Sequence, residues 1–277
     1  MSALNCKKTS AGESGSLFAL VDERIPKKCE RALSGYGFNV IKLPPEKKLP
    51  TAVASHTDML IFRHNDTIII SQGYAEKNRE LIESVKDAVK GLKIIFSQDV
   101  HGDVYPRDAI FNCLSIGNKL FGRPDALSDT VKEYADKAGL ELIAVKQGYP
   151  ACTTLAIPEK FAVTSDRGMA RALQSNGIDV LIISESERIC LPPYKCGFIG
   201  GASGIFGKTV YFLGNLKSHP DGEMIENALK ERGYTSVSLD PEADSLFDLG
   251  GIFFFGSAEN STAASGRSTS PAIPKTE

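Results

Sequence analysis

The sequence predicts an α/β protein, a five-bladed pseudo-symmetric propeller of ββαβ repeats closed by its own N- and C-termini. Three observations predict it. A glycine followed by a strand-like apolar run recurs at Gly37-Phe-Asn-Val-Ile, Gly91-Leu-Lys-Ile-Ile, Gly139-Leu-Glu-Leu-Ile, Gly177-Ile-Asp-Val-Leu and, more weakly, Gly233-Tyr-Thr-Ser-Val. Helical segments precede these glycines, and each helix follows a pair of short apolar runs joined by a polar turn. The two ends of the chain each hold only part of such a unit.

In order along the chain, SLFALVDE (16–23), a helix over 26–35 and GFNVIKLP supply a strand, a helix and a strand, with one hairpin strand missing. The second unit opens with the hairpin MLIF-RHND-TIIIS (59–71), and Leu81, Ile82, Val85, Ala88 and Val89 form a helical stripe ahead of Gly91. The third has AIFNCLSIGNKLF (109–121), then a stripe of Leu127, Val131, Tyr134, Ala135 and Ala138. TTLAI-PEK-FAVTS (153–165) and GIF-GKT-VYFLG (204–214) open the fourth and fifth. The last run, GIFFF (251–255), has no partner downstream and supplies the strand missing from the first unit. A glycine just past a helix gives the left-handed turn into the next element, and repeats that cannot bury a face alone stack or close. An open α/β sheet in two halves explains the helices but not a hairpin ahead of each.

Residues 1–15 and 257–277 are rich in Ser, Thr and Ala without periodicity and are expected not to pack, leaving a single domain over 16–256. Hydrophobic residues make up 42% and charged residues 24% of the 277, an ordinary globular balance. With 32 basic and 34 acidic residues the net charge is −2, which argues against nucleic acid as a partner. No apolar run approaches the roughly 20 residues that span a bilayer, so no membrane is expected. MSALNCKKTSAGESG lacks the apolar core of a secretory signal. The six cysteines, at 6, 29, 113, 152, 190 and 196, show no C-x-x-C spacing, as expected of a reduced, cytoplasmic protein.

Aligning the hairpin starts places Asp58, Asp108, Cys152, Ser203 and Gly250 at one register position, with Tyr-Pro before both Asp108 and Cys152. His56 lies two residues before Asp58, on the same face if this is strand. In a ring these positions surround the axis, giving a channel lined by two carboxylates, a thiol and a hydroxyl. Each residue also has a plainer role open to it. Cys152 suits an inert buried thiol, and His56 a hydrogen-bonded structural histidine. Asp58 and Asp108 suit backbone caps, or partners of Arg63, Arg107 or Arg123.

The five repeats across 16–256 resemble the pentein fold of guanidino-modifying enzymes: arginine deiminases, amidinotransferases and dimethylarginine dimethylaminohydrolases. Tyr105-Pro-Arg107-Asp108-Ala-Ile-Phe is similar to the aromatic-x-Arg-Asp strand that carries their substrate-pairing acid, and His56-Thr-Asp58 resembles their His-x-Asp. The whole chain most resembles an uncharacterised bacterial-type family of that fold. The resemblance implies a small cationic ligand with a guanidino or amidino group, held by Asp58 and Asp108 with Arg107 and Ser203 beside them. It implies Cys152 as nucleophile on the central carbon and His56 as acid and base. The chain departs from the family in three places. Asp248-Leu-Gly-Gly-Ile-Phe carries no cysteine where the family has its last-repeat nucleophile. His56 precedes the Arg-Asp repeat instead of following it, and Gln147-Gly-Tyr-Pro-Ala-Cys152 stands where the family has acids. The alternative is a non-catalytic binding protein of this fold with a macromolecular partner.

Ala202-Ser-Gly-Ile-Phe-Gly207-Lys208-Thr209 formally matches a phosphate-binding loop, but a strand-like Val-Tyr-Phe-Leu follows where that loop needs a helix. For metals, His56/Asp58 and His101/Asp103 are the only close ligand pairs, and no metal or cofactor is expected.

Overall fold

The computed structural model describes residues 16–256; the expectations for 1–15 and 257–277 lie outside the described residues. In chain order the strands are β1 (Leu17–Asp22), β2 (Phe38–Leu43), β3 (Ile61–His64), β4 (Thr67–Ser71), β5 (Lys93–Ser97), β6 (Leu114–Ile116), β7 (Lys119–Gly122) and β8 (Glu141–Ala144). Then come β9 (Thr154–Ile157), β10 (Phe161–Thr164), β11 (Asp179–Ile182), β12 (Ile189–Cys190), β13 (Ser203–Phe206), β14 (Thr209–Phe212), β15 (Thr235–Ser238), β16 (Leu246–Phe247) and β17 (Phe253–Phe255).

Five three-stranded sheets follow one plan: β17-β1-β2, β3-β4-β5, β6-β7-β8, β9-β10-β11 and β13-β14-β15. The middle strand pairs antiparallel with the first and parallel with the third, as in Ile61↔Ile70 and Ile70↔Phe96. In the first sheet the antiparallel partner comes from the far end of the chain, Ala19 facing Phe254. The helix of each unit crosses between the parallel strands, at Lys27–Gly35, Arg79–Ala88, Asp129–Lys137, Arg167–Ser175 and Gly222–Glu231. Each hands over to its strand through a glycine at positive φ, +90° at Gly37, +84° at Gly91, +69° at Gly139 and +76° at both Gly177 and Gly233. A residue with a Cβ is strained there.

Middle strands β1, β4 and β10 are buried along their whole length, whereas the outer β8 and β11 carry only half-buried and exposed residues. The core sits between sheet and helix in each unit and in the seams between units, as where Phe62 and Ile69 pack with Phe111 and Leu120. The inner strands β3, β6, β9, β13 and β17 all line one cavity of about 610 Å³. The phosphate-loop lookalike is a hairpin: Gly207, at φ +57°, turns β13 into β14.

The starts of the inner strands differ from expectation. Thr57–Leu60 and Pro150–Thr153 are single helical turns, and Ala109–Cys113 is turn and irregular chain before β6. His56 and Asp58 therefore do not share a strand face. His56 is the N-cap residue of the first helical turn and Asp58 lies within it. Met59-Leu60-Ile61-Phe62 is buried on every side, so its composition carries no period that separates helical turn from strand.

Candidate active site

The turns that lead into the inner strands carry polar side chains that are almost wholly buried, with His56 at 0%, Asp58 at 3% and Cys152 at 4% exposure. One ligating atom from each lies within 4.8 Å of the others. The Cys152 thiol donates to Asp58 Oδ2 at 2.7 Å and receives a bond from Asn112 Nδ2 at 3.2 Å. Asn112 is fixed by its own carbonyl oxygen, which accepts from the backbone N–H of Ala151 at 2.9 Å. Asp248 stands across from the histidine, with Oδ1 at 3.8 Å from His56 Nδ1. The backbone N–H groups of Phe198 and Gly250 hold its carboxylate at 2.8 and 3.2 Å.

Glycines make room for this packing. Gly250 has φ +71°, and a Cβ added to it would lie 2.5 Å from His56 Cβ and 2.7 Å from Asp58 Oδ1. His56 and Asp58 thus fill the space that a side chain at this register position would occupy. The backbone N–H of Asp58 bonds to the Gly250 carbonyl at 3.1 Å, tying the first unit to the second.

Burial governs the charges. Desolvation pushes the Asp58 carboxyl up to about 6, opposed by bonds from Cys152 and Asn112. Asp248 is pushed up to about 7 by burial and by the negative charge of Asp58. Burial, with the Arg24 charge adding to it, takes His56 down to about 3, so its contact with Asp248 at neutral pH is not an ion pair. Cys152 rises well above the ordinary thiol value through burial and the two carboxylates, and rests as a thiol. Arg24, which clasps the buried Asp22 from Nε at 2.9 Å and Nη2 at 2.5 Å, is the neighbouring cation.

Cys152, His56 and Asp58 are thus brought together. Asp108 is also buried, and the hydroxyl of Tyr149, three residues before Cys152, donates to its Oδ2 at 2.7 Å. Ser203 donates to the Ile199 carbonyl at 2.8 Å and lines the central cavity. Arg107 is exposed and lines a separate surface cleft with Asp99 and Asp125, away from Asp108. Neither Asp58 nor Asp108 pairs with arginine among the described residues: Arg123 pairs with Asp125, and Arg63 bonds the Asn65 carbonyl and stacks on Phe255 at 4.2 Å. Asp58, Ser203 and Arg63 line the cavity; Cys152 and His56 sit behind its wall, although Ala151 and Thr154 reach it.

Sequence reasoning missed Asp248, Asn112 and Tyr149. A signal existed for Asp248, which stands two residues before Gly250 as His56 stands two before Asp58. Tyr149 stood out only as half of the Tyr-Pro shared by the turns before Asp108 and Cys152, and Asn112 gave no signal.

Residues 20–253 match the model of a family of unknown function, DUF6873. The chain belongs to this family. No curated protein sequence matches it. Among solved structures, DDAH from Pseudomonas aeruginosa, complexed with citrulline, superposes with a TM-score of 0.51 at 10% identity, over 81% of this chain and 92% of that one. SxtG, an amidinotransferase from Microseira wollei in the saxitoxin biosynthetic pathway, gives 0.51 at 12% identity, over 81% and 77%. At such identities the likeness is one of fold, and the fold is the pentein fold. No helix among the described residues is long and apolar enough to cross a membrane.

Proposed function

We propose that the protein binds a small guanidino or amidino compound in the central cavity and hydrolyses it through Cys152. The observation that carries this reading is the Cys152 thiol at 2.7 Å from Asp58 Oδ2, with His56 in the same cluster and Asp58 at the wall of a cavity of about 610 Å³. Asp58 Oδ1 is buried without a hydrogen-bond partner, a free acceptor for the N–H edge of a planar cation. The pentein-fold structures complexed with citrulline or acting as an amidinotransferase point to the same ligand class. Arg63, the cation on the same cavity, favours a ligand that also carries an anionic group.

Because Cys152 lies behind the lining Asp58 and Ala151, the ligand must part this wall to reach it; the thiol proton then passes to Asp58, the sulfur bonds to the guanidinium carbon, and the carbon–nitrogen bond to the departing amine breaks. That amine takes the proton back from Asp58. Water then attacks the S-linked amidinium carbon while His56 takes one of its protons and passes it on to solvent; the other proton returns to the sulfur as the carbon–sulfur bond breaks, releasing a ureido product and restoring the thiol. A guanidinium beside the sulfur offsets the carboxylates that hold Cys152 protonated, so the thiolate forms with ligand bound.

The test is a panel of guanidino and amidino compounds, with and without an anionic group, followed for amine or ammonia release and for a mass gain on Cys152. Turnover that Cys152→Ala abolishes supports the reading. Neither turnover nor adduct across the panel overturns the hydrolysis; tight binding without either would leave a non-catalytic binding protein.

A further inference from the structure

Neither ring nitrogen of His56, a residue at 0% exposure, has a partner in good hydrogen-bond geometry, although the Asp248 backbone lies near enough to favour its protonated form, and Asp58 Oδ1 has no partner either. An imidazole buried with neither nitrogen satisfied is uncommon in a native interior, because nothing repays its lost hydration. The remedy lies in the neighbours. An imidazole nitrogen, a carboxylate oxygen and a thiol sulfur converge within 4.8 Å, and they come from different parts of the chain, His56 and Asp58 before β3 and Cys152 before β9.

We propose that His56, Asp58 and Cys152 form a site for one borderline-soft divalent cation of the zinc type. The donor set selects the ion: sulfur and imidazole suit zinc or cobalt, while magnesium and calcium take oxygen ligands. Bonds of about 2.0 Å to nitrogen and oxygen and about 2.3 Å to sulfur put tetrahedral ligands roughly 3.3–3.5 Å apart. The widest pair closes by at most about 1.5 Å from its limit of 4.8 Å, and the Cys152–Asp58 pair opens from 2.7 Å by about 0.8 Å. Asp248 Oδ1 stands 3.8 Å from Nδ1, where a small ring movement would let it orient the imidazole in the carboxylate–histidine–metal pattern with Nε2 on the ion. Three protein ligands leave the fourth position for water or a ligand atom. Binding expels the thiol proton to solvent, one per ion, and two anionic ligands then balance the dication. This site does not rest on the hydrolase reading. The two uses of Cys152 exclude each other, since a metal-bound thiolate is not free to attack carbon.

The experiment uses the full chain, stripped with a chelator and titrated with Zn²⁺ against a chromophoric competitor, then with Co²⁺ followed by absorbance. We expect one ion per chain, bound more tightly than about 1 μM, and a thiolate-to-cobalt charge-transfer band. Cys152→Ser removes the band, and His56→Gln and Asp58→Asn each weaken zinc binding at least tenfold. A triple variant, Cys6→Ser with Cys190→Ser and Cys196→Ser, keeps stoichiometry and band. Because it leaves the cluster intact, its result stands even if the cluster variants fail to fold. No stoichiometric binding by the stripped wild-type chain overturns the site. So does a band that survives Cys152→Ser or disappears from the triple variant. Failure here leaves the guanidino panel untouched, and failure of that panel leaves the zinc titration untouched.

Discussion

Gly250→Ala tests whether the close packing around His56 and Asp58 is what holds the site together. Two costs add. At φ +71° the alanine enters the left-handed region, worth about 1–2 kcal/mol. Its Cβ would also lie 2.5 Å from His56 Cβ and 2.7 Å from Asp58 Oδ1, where carbon contacts ordinarily relax to about 3.5–4.0 Å. Forcing that separation onto buried neighbours costs about 1–3 kcal/mol more. Gly139→Ala is the control, since it shares the conformation at φ +69° but its Cβ would meet nothing within 4 Å. The unfolded-chain gain from glycine to alanine is the same in both and cancels. Urea unfolding of the two variants should therefore place Gly250→Ala lower by about 1–3 kcal/mol, or roughly 2–10 °C in a thermal scan of a chain this size. Equal losses would refute the packing argument, and with it the claim that His56 and Asp58 occupy the space a fifth side chain would need.

Two further outcomes follow from the buried charges. Asp248, raised in the folded state to about 7 from an ordinary 3.8, contributes stability that is present at low pH and is lost as pH rises through about 7. His56, lowered to about 3 from 6.5, has the opposite sign, its contribution being lost as pH falls from 6.5 through about 3. Asp248→Asn deletes only the first, so the stability of wild type relative to the variant should fall by a few kcal/mol between pH 4 and 7 in urea midpoints; a pH-independent difference would contradict the assignment. Thiol labelling under native conditions, read by mass spectrometry, should modify the half-buried Cys190 and Cys196 well before the buried Cys29, Cys113 and Cys152. Early labelling of Cys152 would mean that its thiol is neither buried nor held by Asp58.

The repeats were legible because their signals are local. Each of Gly37, Gly91, Gly139, Gly177 and Gly233 closes a helix whose apolar stripe is written in the same stretch of sequence, and all five carry positive φ. The pairing of β1 with β17 was legible by elimination, as two half-units with no other partner. The helical turns at Thr57–Leu60 and Pro150–Thr153 were not, because four buried residues give no period. Register drew Asp58 and Cys152 to one site, whereas the resemblance placed Arg107 beside Asp108, and neighbours in an irregular turn face opposite ways: Asp108 is buried and Arg107 exposed. Asn112 reached Cys152 by tertiary packing alone, which no local pattern encodes.

The site is best understood through what it lacks. Asp22, Asp58 and Asp248 are all buried around the starts of the first and second units, and the neighbouring cation, Arg24, is already committed to Asp22. Three buried carboxylates near one guanidinium make the site rich in negative charge, which protons held on Cys152 and shared with Asp58 and Asp248 offset. A cationic occupant reverses that balance, whether a planar guanidinium or a divalent ion. The two differ in the fate of the thiol proton. A guanidinium substrate needs it kept on Asp58 for the departing amine, whereas a metal ion drives it into solvent. Proton release measured during binding, in lightly buffered solution at neutral pH, therefore separates the occupants without reference to turnover: one proton or more per chain for the ion, and well under one for a guanidino compound at the binding step.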